Sequence, residues 1–125
     1  MPRIDLVLHG RSHPIIIERG LARRAGELVR EVSRSTRTLV VMDANVARRH
    51  GDCVLQSLKT GGISPSRSEV AANESNKTLA TTRGIYDAMA ALKLERQELV
   101  IALGGGLVGD VAGFAAATWH RGVPL

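Results

Sequence analysis

The stretch from Leu99 to Phe114 constrains the fold of this chain most, because an apolar run leads into a glycine cluster and then into a second apolar segment. The run Leu99–Leu103 predicts a buried strand, and the glycines after it predict a tight turn into a helix. Gly104, Gly106 and Gly109 have the G-x-G-x-x-G spacing, which allows a backbone to approach a phosphate while helix amides point at it. The acid expected about twenty positions further on does not occur before Leu125, and the nearest acid that closes a predicted strand is Asp43.

Strands and helices alternate along the rest of the chain, which predicts an α/β fold with a mainly parallel sheet and flanking helices. The predicted strands are 4–8 and 14–17, which form a hairpin or a paired edge, then 38–42, the short run 68–71, and 99–103. The predicted helices are 21–32, 45–58, 77–92 and the helix after the glycines, with a loop at 61–66 and Asn45 and Asn73 or Ser75 as candidate caps. Residues 1–125 form one domain, and residues 121–125 resemble the entry to a further strand, as in the amino-terminal piece of a longer protein.

Charge and composition exclude several classes of protein. The net charge is +5, but 12 of the 17 Lys and Arg residues lie before residue 69, away from the glycines, and only one Trp, one Tyr and one Phe are available for base stacking. A solvated basic face is therefore favoured over a nucleic-acid surface. The lone cysteine and the absence from the sequence of a signal segment or membrane-length apolar run predict a cytoplasmic protein without membrane contact.

Polar residues that follow the predicted strands are the candidate site residues, because ligands of parallel sheets bind at the carboxyl ends of the strands. Asp43 either accepts hydrogen bonds from ribose hydroxyls or caps the next helix. Glu74 and Lys77 have a spacing that helix entry alone could explain. A carboxylate at Asp110, in the first turn of a phosphate-cradling helix, favours contact with a ribose, a nicotinamide group or an amide. Arg121 is a candidate fork for a phosphate or carboxylate. The four histidines show no metal-ligand spacing, so no metal site is predicted in this segment.

Together these residues resemble the amino-terminal domain of the 3-dehydroquinate synthase family. The resemblance rests on the tract from Ala102 to Thr118 with Arg121-Gly122, on Glu74-x-x-Lys77, on Asp43-x-Asn45-Val46 and on the stretch from Gly10 to Ile15. It implies a Rossmann-like NAD-binding domain in which the ribose-side acids precede the glycine turn. The cofactor contacts that it implies are Asp43, Ala44, Asn45, Glu74, Lys77, Gly105, Gly106, Leu107 and Asp110, with Arg121 reaching the substrate.

The family resemblance also implies a reaction and partners. Members convert 3-deoxy-D-arabino-heptulosonate 7-phosphate, a phosphorylated sugar acid, to 3-dehydroquinate with loss of phosphate, in the shikimate route to chorismate and aromatic amino acids. Full-length members use NAD and a divalent metal, zinc or cobalt, held in a helical carboxyl-terminal domain that this segment lacks, and they form homodimers. The segment is therefore expected to carry no catalytic residue or metal ligand of its own and to be inactive alone. The alternatives are a valiolone or deoxy-inosose cyclase and a non-catalytic nucleotide-binding remnant.

Overall fold

The computed structural model describes residues 3–71 and 73–125, and its centre is a three-stranded parallel sheet. The sheet contains β3 (Arg37–Asp43), β4 (Ser64–Val70) and β5 (Leu99–Leu103) in the order β4-β3-β5. In this register Val40 of β3 lies opposite Arg67 of β4 and Ile101 of β5. The central strand is β3, whose apolar run is covered on both faces, as expected for a parallel sheet. The α/β prediction is thus confirmed.

Helices cover both faces of the sheet and divide the interior into two cores. One core joins Leu39 and Val41 of β3 to α4 (Leu79–Leu92) and α5 (Gly106–Thr118). The other joins Val40 and Met42 to α1 (Ala25–Val32) and α3 (Asp52–Thr60). Successive side chains of a strand point to opposite faces, so this alternation along β3 follows directly from its pleat. Shorter helical turns complete the chain: Leu21–Arg24, α2 (Ala44–Val46), a π-helical turn at Ala47–Gly51, Glu74–Asn76 and Trp119–Arg121.

The first two strands, β1 (Arg3–Leu8) and β2 (Arg11–Ile16), form the predicted antiparallel hairpin. Its aliphatic side chains are largely exposed; Ile4 and Val7 are 59% and 64% accessible. Arg3 pairs with Asp5 of the same strand and lies 3.8 Å from Glu31 of α1. The hairpin is therefore a separate small sheet, and the ion pair of Arg3 with Glu31 links it to the main body at the surface.

Several sequence predictions about packing were wrong. The predicted loop 61–66 contains the start of β4, because the polar residues Ser64 to Ser66 form an edge strand held by β3. Leu79 of the predicted helix 77–92 and Phe114 of the apolar segment after the glycines are expected in the core from their side chains, but their accessibilities are 76% and 50%. Val32, the last residue of α1, is expected there for the same reason and is also exposed. Each of these three lies on a helix face that no described element covers.

Two arginines of the predicted solvated basic face have structural partners instead. Arg30 donates hydrogen bonds to the carbonyls of Ser35 (2.7 Å), Gly61 (3.0 Å) and Gly62 (3.1 Å). Arg37 donates to the carbonyl of Leu92 (2.7 Å), at the end of α4. Because one guanidinium can satisfy several carbonyls, these side chains close the amino edge of the sheet.

The chain returns to the sheet after α5. The amide of Val123 donates to the carbonyl of Ala116 (2.7 Å), and the amide of Val100 in β5 donates to the carbonyl of Pro124 (2.8 Å). Backbone of residues 123–124 thus lies beside the outer edge of β5, the position that a further strand of the sheet would take.

Candidate functional site

The candidate site lies at the carboxyl edge of the sheet, where three parallel strands end side by side. Asp43 closes β3, the turn Glu74–Asn76 follows β4, and the glycine turn at 104–106 follows β5. Parallel strands bring residues that are distant in sequence to one edge, which is where ligands of open α/β sheets bind. The edge therefore gathers most of the residues predicted from the sequence to contact a cofactor.

Asp43 caps the next helix, which is one of the two roles that its sequence context allows, and its second carboxylate oxygen remains available for the other role, contact with a ribose. Its Oδ1 accepts a hydrogen bond from the amide of Asn45 (2.8 Å), so Asp43 caps the helix that begins at Ala44. Asn45 was predicted to be the cap, and this was wrong, because its side-chain oxygen accepts from Arg48 instead. No hydrogen bond to Oδ2 of Asp43 occurs among residues 3–71 and 73–125, which leaves that oxygen available to a hydroxyl donor.

The three glycines of the turn differ in their surroundings. A methyl group on Gly104 would lie 3.0 Å from Cγ2 of Val108 and 3.1 Å from Cβ of Asp43, so Gly104 holds the turn tightly against β3. A methyl group on Gly105 or Gly106 would contact no other atom within 4 Å. Gly104 thus brings the turn close to Asp43, while the next two residues present bare backbone to an open space.

The first turn of α5 supplies hydrogen-bond donors on this open side. The helix begins at Gly106, and the first amide with an intrahelical partner is that of Gly109, which donates to the carbonyl of Gly105 (3.1 Å). The amides before it have no acceptor within the helix and carry the positive end of its dipole. Backbone donors and the missing side chains together make this turn suitable for an anionic group such as a diphosphate.

An ion pair links the loop after β4 to the same helix. Nζ of Lys77 lies 2.8 Å from Oδ2 of Asp110, and both side chains are about half exposed. The hydrogen bond and charge of Asp110, followed by the charge of Glu74, raise the pKa of the Lys77 ammonium. Asp110 was predicted to lie in the first turn of this helix, and this was wrong, because α5 begins at Gly106 and Asp110 follows its first turn. Lys77 compensates the negative charge of Asp110 that an approaching anion would meet.

Helix entry after β4 uses residues that the sequence analysis did not select. Oγ1 of Thr78 accepts from the amide of Thr81 (3.2 Å) and caps α4, so neither Asn73 nor Ser75 does. Asn76 donates to the carbonyl of Ala71 (2.6 Å) and holds the preceding turn together. A threonine directly before the apolar Leu79 was the signal available for this cap. Lys77 is consequently freed from the helix and turned toward Asp110.

Arg121 lies apart from the other candidate residues. It follows the carboxyl end of α5, whose 13 residues span about 18 Å, so the length of the helix separates Arg121 from the glycine turn. His120 and Arg121 have φ values of 49° and 65°, and the ring nitrogens of Trp119 and His120 both lie 3.1 Å from the carbonyl oxygen of Leu94. A substrate that contacts Arg121, as predicted, would thus lie at a different edge of this domain from the cofactor residues.

No metal centre is formed by the residues that the structure describes: no three His, Cys, Asp or Glu side chains gather there closely enough to hold an ion. The donor set therefore does not fit a divalent metal. Among the same residues, no helix is long and apolar enough to cross a membrane.

Comparison with known proteins was made for sequence and for fold. Residues 67–125 match the family described as 3-dehydroquinate synthase N-terminal. A 3-dehydroquinate synthase of Gloeobacter violaceus is 42% identical over 98% of this chain and 34% of its own length. The chain thus spans about a third of the length of the curated relatives that it matches.

Solved structures of sugar cyclases share the fold. ValA, a 2-epi-5-epi-valiolone synthase from Streptomyces hygroscopicus with NAD+ and Zn2+ bound, is 33% identical over 72% of this chain and 25% of its own chain, with a TM-score of 0.68. A 2-deoxy-scyllo-inosose synthase superposes over 98% of this chain and 34% of its own with a TM-score of 0.84 at 19% identity, which shows a common fold. By sequence and fold, the chain belongs to the 3-dehydroquinate synthase family and corresponds to the amino-terminal part of its members.

Proposed function

We propose that this chain is the dinucleotide-binding part of a 3-dehydroquinate synthase and that it holds NAD across the carboxyl edge of its sheet. The observation that carries the proposal is the pairing of Lys77 with Asp110 at the entrance to a glycine turn that is open on its outer side. ValA, which is 33% identical, was solved with NAD+ bound. Both the charges and the free space at this edge fit a diphosphate flanked by two riboses.

In the proposal, three groups of site residues contact three different parts of the cofactor. In the proposal, the backbone of Gly105, Gly106 and Leu107 donates to the diphosphate, because these residues start α5. Asp43, with Ala44 and Asn45 in the turn after β3, accepts from one ribose through its free carboxylate oxygen. Glu74, Lys77 and Asp110 surround the other end, where the ammonium both donates to the ligand and orients the Asp110 carboxylate.

NAD supplies reversible hydride transfer when bound. The chain's own part is to position the dinucleotide: the tight contact of Gly104 with Val108 and Asp43 fixes the turn, and the packing of α5 on the sheet fixes the helix amides. The reaction proposed for the whole enzyme is conversion of 3-deoxy-D-arabino-heptulosonate 7-phosphate to 3-dehydroquinate with loss of phosphate. Turnover needs residues from the other two thirds of the relatives' length, so we expect this chain alone to bind NAD without releasing phosphate from that substrate.

A valiolone cyclase is the second candidate, and the 33% identity to ValA favours it over other sugar cyclases. The curated 3-dehydroquinate synthases are more similar, at about 42% identity over nearly the whole chain, which is why they are preferred. Phosphate release by the full gene product, assayed with 3-deoxy-D-arabino-heptulosonate 7-phosphate, separates the two. Absence of turnover of this sugar acid would overturn the preferred assignment.

Calorimetric titration of the chain with NAD tests the cofactor site. Replacing Asp110 by Asn removes the carboxylate and the ion pair, and we expect a loss in affinity of about tenfold, the size of one charge-assisted hydrogen bond. Asp87→Asn is the matched control, because Asp87 is an exposed acid on α4 and the substitution makes the same change of charge. Equal NAD affinity in the wild type and Asp110→Asn, or an equal loss in the control, would refute the proposed site.

A further inference from the structure

A second cavity lies at the carboxyl edge, on the opposite face of the sheet from Lys77 and Asp110. It has a volume of about 900 Å³ and lies between the segment 18–23, the π-helical turn and the last residue of β5, Leu103. Its lining includes Arg19, Arg23, Arg49 and His50, and we call the surface formed by these four residues the basic groove. A volume of this size is sufficient for a small phosphorylated molecule.

The basic groove carries more positive charge than its surroundings neutralise. Within residues 3–71 and 73–125, the guanidinium groups of Arg19, Arg23 and Arg49 form no ion pair and donate no hydrogen bond. The acid in the lining, Glu18, is already bound by Nη1 of Arg24 at 2.9 Å. Three unpartnered arginines around one cavity repel each other, and an anion placed between them relieves that repulsion.

The basic groove is continuous with the proposed cofactor site. A neighbouring cavity of about 540 Å³ shares Arg49 and His50 with it and extends to Asn45 and Arg48. Asn45 belongs to the short helix that Asp43 caps, beside the proposed ribose position. An anion bound by Arg49 would therefore lie next to the proposed ribose position, where Arg48 and Arg49 offset the repulsion from Asp43.

We propose that the basic groove binds a phosphate monoester or diphosphate group. Arginine is suited to this chemistry because its planar fork donates two parallel hydrogen bonds to a phosphate. The group comes from one of two sources: the 2′-phosphate of a phosphorylated dinucleotide, or a separate phosphorylated metabolite bound beside the dinucleotide. The 2′-phosphate source rests on the dinucleotide site of the proposed function, with NADP bound there in place of NAD. Binding of a phosphate group in the basic groove does not depend on that site.

Titration of the 125-residue chain with inorganic pyrophosphate at low ionic strength tests the site without any dinucleotide. We expect Arg49→Gln and Arg23→Gln each to weaken pyrophosphate binding by about tenfold, the effect of one charge-assisted hydrogen bond. The control is Arg83→Gln, which removes the same charge from an exposed position on α4, against the opposite face of the sheet. The structure exposes all four arginines: Arg19, Arg23, Arg49 and Arg83. The three variants should therefore retain the wild-type melting temperature.

Two further titrations separate the sources. If NADP binds more tightly than NAD and Arg49→Gln abolishes that difference, the group is the 2′-phosphate. If pyrophosphate binds equally well with and without saturating NADP, the group belongs to a separate metabolite. Pyrophosphate affinity that is unchanged in both groove variants, or reduced equally in Arg83→Gln, would overturn the proposal. A chain that binds pyrophosphate through Arg49 but does not bind NAD would instead refute the proposed function and leave the phosphate site standing.

Discussion

Replacement of Gly104 by Ala is expected to destabilise the chain through two contacts at once. The added methyl group would lie 3.0 Å from Cγ2 of Val108 and 3.1 Å from Cβ of Asp43, whereas carbon atoms in optimal contact are about 3.5–4.0 Å apart. Val108 is fully buried in the core, and Asp43 is fixed at the end of the central strand, so neither can retreat easily. Overpacking of this kind costs about 1–3 kcal/mol, and with two rigid neighbours we expect the upper half of that range.

Thermal unfolding followed by circular dichroism measures this effect. An unfolding entropy of about 2.1 cal/mol/K per residue makes 1 kcal/mol equivalent to about 4 °C in a chain of this length, so the melting temperature should fall by about 8–12 °C. Gly109→Ala, in the helix that follows Gly104, is the control. Its methyl group would contact no other atom within 4 Å, and the substitution should stabilise α5 by about 0.5–1 kcal/mol. A fall of less than about 2 °C for Gly104→Ala, a small fraction of that expected, would refute the argument from close packing, as would an equal fall in the control.

Substitutions at three other positions test contacts outside the glycine turn itself. Arg37 also donates to the Lys93 carbonyl (2.9 Å) and to Oε1 of Glu98 (2.9 Å). Arg37→Met should lower the free energy of unfolding, measured in urea, by about 2–4 kcal/mol, because it leaves the mostly buried Glu98 carboxylate unpaired. Adding Glu98→Gln should recover part of that free energy, and no recovery would argue against the ion pair. Thr78→Ala should lower the stability to heat by about 1 kcal/mol through loss of the α4 cap, and an unchanged melting temperature would show that the cap is dispensable. Because folding raises the pKa of Lys77 above its ordinary 10.5, its contribution to stability is complete below that pH and is lost as the pH rises through the higher folded value. Lys77→Met should therefore reduce the alkaline loss of stability, and an identical alkaline profile would contradict this.

The parts of the fold that could be predicted from the sequence are those encoded by local apolar patterns. The strands at β3 and β5 are continuous apolar runs, and the glycine turn between β5 and α5 follows from its spacing. β4 was predicted only in part, because its first residues are polar and become a strand solely through pairing with β3. The exposure of Phe114 could not be predicted, because an apolar side chain does not specify whether another element covers it.

The candidate site was predicted as a set of residues and not as an arrangement. Asp43 and the glycines follow strands directly, so the parallel topology was enough to bring them to one edge. The pairing of Lys77 with Asp110 joins the loop after β4 to helix α5, and only the packing of α4 against α5 determines it. The unpartnered state of Arg49 likewise depends on which acids fold near it, which a count of charges along the sequence does not reveal.

The separate hairpin of β1 and β2 has a consequence for hydrogen exchange. In the described part of the chain, neither core contains a side chain from these two strands, so the hairpin can open without disturbing the sheet. Its amides should exchange with solvent through such local opening, independently of added urea at low concentration. The amides of β3, bonded on both sides, can exchange only when the whole domain unfolds. A single exchange experiment would thus report two free energies from one small chain: that of local opening of the hairpin and that of unfolding of the whole domain.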